Sequence, residues 1–186
     1  VIDIFSDNYP YFSSYSKSWL EHCKKSAALY KEKFDIGVGS SVLEIGSNDG
    51  YLLKYFSECS NVLGVEPTKG PAEAAIKNGI KTKIDFFSDD VAVNITNEQG
   101  QFDLILSNNM LAHTPDLMSV LKGVRRCLKD GGKFIIEIQY ALNMFAHGKF
   151  DTVYHEHYCY YTLNSALNVF ENNGLHIFDA ETLQTH

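Results

Sequence analysis

From Ser41 onward, short apolar runs alternate with amphipathic segments, and this alternation limits the possible folds more than any other feature. Strands are predicted at 41–45, 61–65, 80–84, 102–106 and 133–138. Helices are predicted at 51–58, 71–77 and 117–128, the last closed by a C-cap and turn at 129–132, with a helix or irregular connection at 88–97. Strands joined by helical crossovers form a parallel sheet that is covered on both faces. The sequence therefore predicts an α/β, Rossmann-like, doubly wound and mostly parallel sheet.

Further elements are predicted on both sides of this unit. A helix is expected at 16–34, a second helix at 162–173, and a last strand from Leu175. We divide the chain into an N-terminal helical segment, 1–38, and a Rossmann-like region, 39–186, which together form one domain. The first residue is Val1 rather than Met, and both ends look cut, so a fragment of a larger protein is expected.

The net charge of -7 and the pI of about 5.4 argue against nucleic acid as a partner, since its phosphates would be repelled. No apolar run is long enough to span a bilayer, and no signal peptide is visible. The four cysteines form no CxxC pair, which speaks against a structural zinc site or a disulfide framework. A cytoplasmic location and no membrane partner are expected.

A glycine-rich loop follows the first strand, with Glu44, Gly46, Asp49 and Gly50 in the spacing E-x-G-x-x-x-G. The glycines allow a tight turn and a close backbone approach to a ligand. A dinucleotide fingerprint would read G-x-G-x-x-G and place a pyrophosphate on the helix N-terminus. Asp49 would repel a pyrophosphate but suits the sulfonium and amino group of S-adenosylmethionine. A nicotinamide-dependent enzyme is a weaker interpretation of this loop. The simplest alternative is a turn with no role in ligand binding.

Polar residues follow the next strands of the predicted sheet. Glu66 ends the second strand, where a carboxylate can accept both hydroxyls of a ribose. Asp85 and Phe86 follow the third strand, where Asp85 would accept from an adenine amine and Phe86 would pack on the ring. Asn108 and Asn109 end the fourth strand and border the same crevice. A phenylalanine such as Phe86, taken alone, is more often a core residue than a platform for an adenine ring.

The segment 151–161 concentrates histidine, glutamate and tyrosine just after the fifth strand. His155 and His157 lie on one face of an extended segment, but a catalytic zinc needs a third ligand. General acid-base chemistry is the alternative, since a neighbouring carboxylate such as Glu156 can set the tautomer of a histidine and raise its pKa. A polar, aromatic-rich surface loop is the third interpretation. We rank a metal below acid-base catalysis and expect none.

Three motifs together resemble one family. The stretches 44–50, 107–116 and 154–157 (EIGSNDG, SNNMLAHTPD and YHEH) are similar to those of the sugar C-methyltransferases of deoxysugar biosynthesis. Those enzymes act on nucleotide-linked 4-keto-deoxyhexoses, as the dTDP-sugar C-3 methyltransferases do. The likeness runs from Tyr11 to His186. It implies a class I S-adenosylmethionine-dependent methyltransferase that attacks the methyl group with the carbon of an enolate.

The resemblance also implies roles for single residues. Tyr154 and His157 correspond to the candidates for the base, with Glu156 between them. His113 corresponds to a histidine that lines the acceptor pocket and is one candidate donor to the enolate oxygen, Tyr154 being the other. Tyr11 matches a tyrosine region that closes over the cofactor, so the segment 1–38 is expected to cover the cofactor site.

Two further parts are usual in that family, namely a cysteine-rich zinc-binding segment before the core and an α/β domain after it. Neither lies within these 186 residues, so additional domains are expected in a longer protein. The resemblance also implies a nucleotide sugar as the small-molecule partner. Two other functions stay open. One is a methyltransferase for an oxygen or nitrogen of another small molecule, and the other is a non-catalytic cofactor-binding module.

Overall fold

The computed structural model describes residue 5 and residues 11–183. The start of the predicted segment 1–38 and the end of the predicted segment 39–186 therefore lie outside the described residues. The same holds for the last residues of the family resemblance, 184–186.

Within this described part, five strands form one sheet in the order β3-β2-β1-β4-β5, and every paired neighbour is parallel. The strands are β1 (Ser41–Ile45), β2 (Asn61–Val65), β3 (Thr82–Lys83), β4 (Phe102–Asn108) and β5 (Leu128–Glu137). The order reverses direction between β1 and β4, which is the switch point of a doubly wound sheet. The predicted α/β fold is confirmed.

The helices are α1 (Lys17–Phe34), α2 (Lys69–Lys77), α3 (Asp89–Gln99), α4 (Leu117–Cys127), α5 (Ala141–His147) and α6 (Leu163–Glu171). Short 3-10 helices occur at 13–15, 53–56, 111–113 and 150–152. Four helices begin at a polar residue whose side chain accepts a backbone N–H of the first turn: Ser16, Ser88, Asp116 and Thr162. Such caps satisfy N–H groups that lack a partner in the helix.

Side chains that alternate along the strands build a core on each face of the sheet. Leu43 and Ile45 belong to the core beneath α3, α4 and α6, whereas Val42 belongs to the core beneath α1. On β4, Ile105 faces the first core and Leu104 the second. Both faces are buried, as expected for a parallel sheet covered by crossover helices.

The predicted helix at 51–58 is wrong in type, because only a 3-10 helix at Leu53–Phe56 forms there. Tyr51, Leu52 and Leu53 are consecutive and almost completely buried. An amphipathic helix buries one stripe of its surface, so three consecutive buried side chains favour a tighter, irregular path.

The predicted last strand from Leu175 does not form within the residues described. The Leu175 N–H donates to the carbonyl of Phe170 and so completes the end of α6. Leu175 and Ile177 pack against the core beneath α4 and α6. The alternating pattern there reflects packing of an irregular segment rather than pairing of a strand.

Strand β5 begins earlier than predicted. Leu128 pairs with Phe102 and Lys133 pairs with Leu104, so the residues between them bulge out of the ladder. Gly131 takes a left-handed φ of 79° in this bulge. Gly131 and Gly132 were predicted to end the helix and form a turn. In the structure they lie in a bulge of β5, which follows α4 directly.

No helix in the described part of the chain is long and apolar enough to cross a membrane.

Candidate active site

The carboxyl ends of the parallel strands meet at one edge, which is where ligands bind in doubly wound sheets. Ile45 pairs with Val65, so the glycine loop and Glu66 leave the sheet side by side. Asn108 pairs with Glu137 at the ends of β4 and β5. The predicted cofactor residues of the first, second and fourth strands therefore lie at the same edge.

The glycine loop takes the strained conformation that its sequence requires. Gly46 and Gly50 have φ values of 75° and 77°, and Asn48 between them has a φ of 48°. A Cβ atom on Gly46 would lie 3.0 Å from Cγ of Met110, and one on Gly50 would lie 3.0 Å from Cγ1 of Ile80. Both glycines are needed for the backbone path and for the close packing around it.

Gly64, in the middle of β2, is a residue of this site that the sequence analysis missed. A Cβ atom there would collide with the side chain of Ser47 in the glycine loop. A glycine inside a strand pattern signals a close approach of another backbone, and this signal was available in the sequence.

Glu66 is buried and builds the loop from the side. Its Oε2 accepts the N–H of Asn48 at 2.9 Å, and its Oε1 accepts the N–H of Thr68 at 2.8 Å together with the Thr68 hydroxyl. Burial raises the pKa of Glu66, the bonds from Thr68 and Asn48 oppose this, and Asp49 adds to it. The ribose contact remains a prediction, but the carboxylate also has a structural role that the sequence did not reveal.

We expect Glu66→Ala to weaken cofactor binding by about tenfold or more, because it removes two hydrogen bonds of about 1 kcal/mol each. Titration calorimetry with S-adenosylhomocysteine measures the loss. Glu73→Ala is the matched control, since Glu73 is an exposed residue of α2. Equal affinities of the two variants would contradict a ribose contact at Glu66.

The segment before α1 is bonded to the glycine loop. Asn48 Oδ1 accepts the N–H of Ser13 at 2.8 Å, and Asn48 Nδ2 donates to the carbonyl of Tyr11 at 3.2 Å. Asp49 Oδ2 accepts the N–H of Ser14 at 3.2 Å. Tyr11 is thus held next to the loop, and the predicted covering of the cofactor by this segment stays a prediction.

Several buried polar atoms at this edge have no hydrogen-bond partner among the described residues. They include Ser47 Oγ, Asp49 Oδ1 and Asn108 Oδ1. Buried polar atoms are nearly always bonded in folded proteins, so atoms of this kind mark a place for a polar ligand or water. Two of the three are acceptors only, which fits a ligand that carries N–H donors or positive charge.

Glu44 is completely buried, and neither of its carboxyl oxygens has a hydrogen bond of good geometry among the described residues. The cofactor contact expected of it stays a prediction. Burial raises its pKa well above the usual value, Tyr51 beside it opposes this, and the charges of Glu66 and Asp49 add to it. The alternation along β1 explains the position, because Glu44 points to the same face as Val42.

The two phenylalanines after β3 have different environments. Phe87 is buried in the core, and a Cβ atom on Gly123 would lie 2.9 Å from its ring. Phe86 is 38% exposed and Asp85 is exposed as well. An exposed Phe86 leaves its ring available for stacking, and the adenine contacts of both residues remain predictions.

The structure brings His113, Tyr154 and His157 together beside the end of β4. The ring centroids of His113 and His157 are 4.5 Å apart, and those of Tyr154 and His157 are 4.2 Å apart. Backbone bonds fix this contact, since the N–H of Tyr158 donates to the carbonyl of Ala112 at 2.7 Å. Residues that are about forty positions apart in sequence thus form one cluster.

The hydrogen bonds define the tautomer of both histidines. Nδ1 of His157 lies 2.9 Å from the carbonyl oxygen of Thr152, and Nδ1 of His113 lies 3.1 Å from that of Glu156. A carbonyl only accepts, so both Nδ1 atoms carry the proton and both Nε2 atoms have a free lone pair in the neutral ring. Burial and the neighbouring His157 lower the pKa of His113, which keeps it neutral.

This geometry differs from the predicted pairing of Glu156 with His157. The Nδ1 of His157 is bonded to Thr152, and Glu156 contributes its backbone carbonyl to His113 instead of a carboxylate to His157. The turn at 154–157 bonds the His157 N–H to the Tyr154 carbonyl. The compact turn also replaces the extended segment on which the zinc alternative for His155 and His157 relied.

Other residues of this cluster were missed. The hydroxyl of Tyr160 also donates to the Thr152 carbonyl, at 3.3 Å, and the ring of Phe5 contacts that of His113 at 5.3 Å. A separate pair was missed as well, since Glu137 at the end of β5 lies 2.7 Å from His22 of α1. No sequence pattern links these residues, because their elements meet only in the folded chain.

Among residue 5 and residues 11–183, no group of three or more histidine, cysteine, aspartate or glutamate side chains has the arrangement of a metal site.

Comparison with known proteins identifies the family. A model described as a methyltransferase domain matches residues 19–179. The C-methyltransferase NovU of Streptomyces niveus is 32% identical over 185 residues, which is 99% of this chain but 44% of NovU. The ubiquinone biosynthesis O-methyltransferase of Vibrio parahaemolyticus is 29% identical over 104 residues, 54% of this chain and 44% of that protein. The chain thus spans less than half the length of these relatives.

Solved structures share the fold. A SAM-dependent methyltransferase of Archaeoglobus fulgidus has a TM-score of 0.67 at 16% identity and covers 83% of this chain and 68% of its own. The plantazolicin methyltransferase BpumL, solved with SAH, has a TM-score of 0.58 at 16% identity, with 84% and 61% covered.

These findings confirm the expected family and fold. The chain belongs to the methyltransferase domain family, and it shares its fold with a SAM-dependent methyltransferase.

Proposed function

We propose that the chain binds S-adenosylmethionine at the glycine loop and is the catalytic core of a C-methyltransferase for a nucleotide-linked 4-keto-deoxysugar. Similarity to a C-methyltransferase over 99% of the chain supports the reaction type. Similarity to the O-methyltransferase covers only 54% of the chain. The sugar acceptor comes from the family resemblance of the three motifs.

The cofactor side is formed by the edge of β1, β2 and β4. Asp49 and Asn108 offer acceptor oxygens without partners among the described residues, and they suit the cationic donor end. Glu66 accepts from the ribose, and Asp85 with the exposed Phe86 receives the adenine. The segment containing Tyr11 covers the cofactor. When bound, S-adenosylmethionine supplies a methyl group made electrophilic by a positively charged sulfur.

The environment of His157 carries the catalytic proposal. Its Nδ1–H is fixed on the Thr152 carbonyl at 2.9 Å, which leaves Nε2 as the lone-pair atom of the neutral ring. Nε2 removes the proton from the carbon next to the ketone and keeps it, which leaves that carbon nucleophilic toward the methyl group that the cofactor would supply. The backbone carbonyl of Thr152 holds the ring in this tautomer during proton transfer.

Tyr154, rather than His113, is the donor to the enolate oxygen. The Nε2 of His113 bears no proton in the tautomer that the bond to the Glu156 carbonyl requires, and the lowered pKa of His113 favours the neutral ring. Burial and the charge of Glu156 raise the pKa of Tyr154. Its hydroxyl therefore stays protonated and can donate a hydrogen bond to the enolate oxygen. His113 then lines the acceptor pocket, and Glu156 holds His113 through its carbonyl.

We expect Tyr154→Phe to lower kcat by about 100-fold, the usual effect of losing one donor to a developing oxyanion. Affinity for the cofactor should stay within about twofold, since the hydroxyl lies on the acceptor side. Steady-state kinetics with a 4-keto sugar nucleotide measure this, and Tyr158→Phe, at a 51% exposed tyrosine nearby, is the control. An unchanged kcat in Tyr154→Phe would remove this residue from the mechanism.

Titration calorimetry of this chain with S-adenosylhomocysteine, with NAD as the control ligand, tests the proposed cofactor. We expect micromolar binding of the first and none of the second. Binding of NAD alone would reject the proposal and assign Glu66 to the ribose of a dehydrogenase cofactor. Acceptor profiling with 4-keto sugar nucleotides then separates the carbon acceptor from an oxygen or nitrogen acceptor.

A further inference from the structure

Three carboxyl groups lie around the ends of β1 and β2, namely those of Glu44, Asp49 and Glu66. All three are at least nine-tenths buried. Within the described residues, none of them forms an ion pair with a lysine, arginine or histidine. Each therefore raises the cost of charging the other two.

Glu44 has the least support of the three for a negative charge. Its side chain is fully buried, and neither of its oxygens has a hydrogen bond of good geometry among the described residues. Glu66, by contrast, accepts three hydrogen bonds from Asn48 and Thr68. A fully buried carboxylate without a partner is far more costly than its neutral acid.

The titratable groups that face Glu44 do not supply a positive charge. Tyr51 from the glycine loop lies beside it, and Asp49 and Glu66 add negative charge. Cys23 lies on the side of α1. Burial and the charges of Glu44 and Glu137 raise the pKa of its thiol to about 12, and the charge of Lys54 opposes this rise.

The neighbouring orphaned atoms point to a cationic ligand. Asp49 Oδ1 is buried without a partner among the described residues, and so is Ser47 Oγ in the same loop. A cation bound beside Asp49 would act on Glu44 through the protein interior, where charges interact more strongly than in water. Direct contact between the ligand and the buried Glu44 is not needed for this effect.

We propose that Glu44 holds a proton in the free chain and releases it to the solvent when the cationic end of S-adenosylmethionine binds beside Asp49. This inference rests on the proposed cofactor and adds a regulation of that site. The carboxyl O–H bond breaks, the electron pair stays on Glu44, and the bound cation balances the new charge. Cofactor affinity is then coupled to pH, and it rises with pH where Glu44 is protonated in the free chain.

Titration calorimetry in buffers of different ionisation enthalpy counts the protons released per ligand bound. Near neutral pH we expect wild type to release a substantial fraction of one proton per S-adenosylmethionine. S-adenosylhomocysteine lacks the sulfonium charge and should release fewer. Glu44→Gln mimics the neutral acid, so it should bind with little release. Glu98→Gln, the same change at an exposed residue of α3, should release as many protons as wild type.

An infrared spectrum of the ligand-free chain gives an independent readout. Wild type should show the carbonyl band of a protonated carboxylic acid near neutral pH, Glu98→Gln should keep the band, and Glu44→Gln should lack it. Binding without proton release, or equal release by Glu44→Gln and wild type, would overturn the inference while leaving the proposed cofactor intact. Absence of any binding by wild type would instead reject the cofactor and, with it, the linkage.

Discussion

Gly46→Val is expected to abolish cofactor binding. The φ of Gly46 is 75°, a conformation that a β-branched residue adopts only at a cost of about 1–2 kcal/mol or more. The new Cβ would also lie 3.0 Å from Cγ and 3.1 Å from Cβ of Met110. Because the loop leaves β1 at this residue, strain and crowding displace the backbone that the proposed donor end approaches. Titration with S-adenosylhomocysteine should show a loss of at least about 100-fold.

Gly39→Val separates this effect from backbone strain alone. Gly39 has a φ of 96°, but a Cβ atom there would meet nothing within 4 Å, and the residue precedes β1 at the opposite edge of the sheet. We expect that variant to lose stability and to keep its affinity. If Gly46→Val bound the cofactor as well as Gly39→Val does, the glycine loop would not be the binding site.

His157→Ala is expected to lower kcat by about 10²–10⁴-fold, the usual contribution of a positioned general base. His157 sits at the centre of the cluster, in ring contact with His113, Tyr154 and Tyr160. Affinity for the cofactor should change by less than about twofold, because the glycine loop is built without this residue. Kinetics with a 4-keto sugar nucleotide and calorimetry with S-adenosylhomocysteine measure the two quantities separately.

His155→Ala is the matched control, since His155 is an exposed histidine two residues away and forms no part of the cluster. Its kcat should equal that of wild type. Parallel losses of rate in both variants, or an equal loss of cofactor affinity in His157→Ala, would contradict the role of His157 as base.

The glycine loop illustrates how far local sequence reaches. Gly46, Asp49 and Gly50 lie within the five residues that follow the apolar strand β1. The backbone conformation of this loop follows from steric limits that act between neighbouring residues. Parallel strands end at one edge of the sheet, so Glu66 and Asn108 were also placed beside the loop by the strand pattern. The fold class could be predicted because burial on both faces imposes a continuous apolar pattern on each strand.

The orientation of single side chains was less predictable. The motif predicts Glu44 at the cofactor, but it did not reveal that the side chain is completely buried, on the face of β1 that also carries Val42. The segment 51–58 has helical spacing, but burial of three consecutive side chains overrides that spacing. Alternation along the strand gives Glu44 its face, whereas packing of the folded chain decides how completely Glu44 and residues 51–53 are buried.

The sequence by itself determined the order of the five strands, the glycine loop and the concentration of His and Tyr at 154–161. These depend on steric preference and periodicity, which act over a few residues. Only the tertiary structure decided that the Thr152 and Glu156 carbonyls set the histidine tautomers and that Glu137 meets His22. It also decided that the buried oxygens of Glu44 have no hydrogen bond of good geometry among the described residues. A hydrogen bond between distant segments depends on where the folded backbone places a donor and an acceptor, and no local pattern encodes that distance.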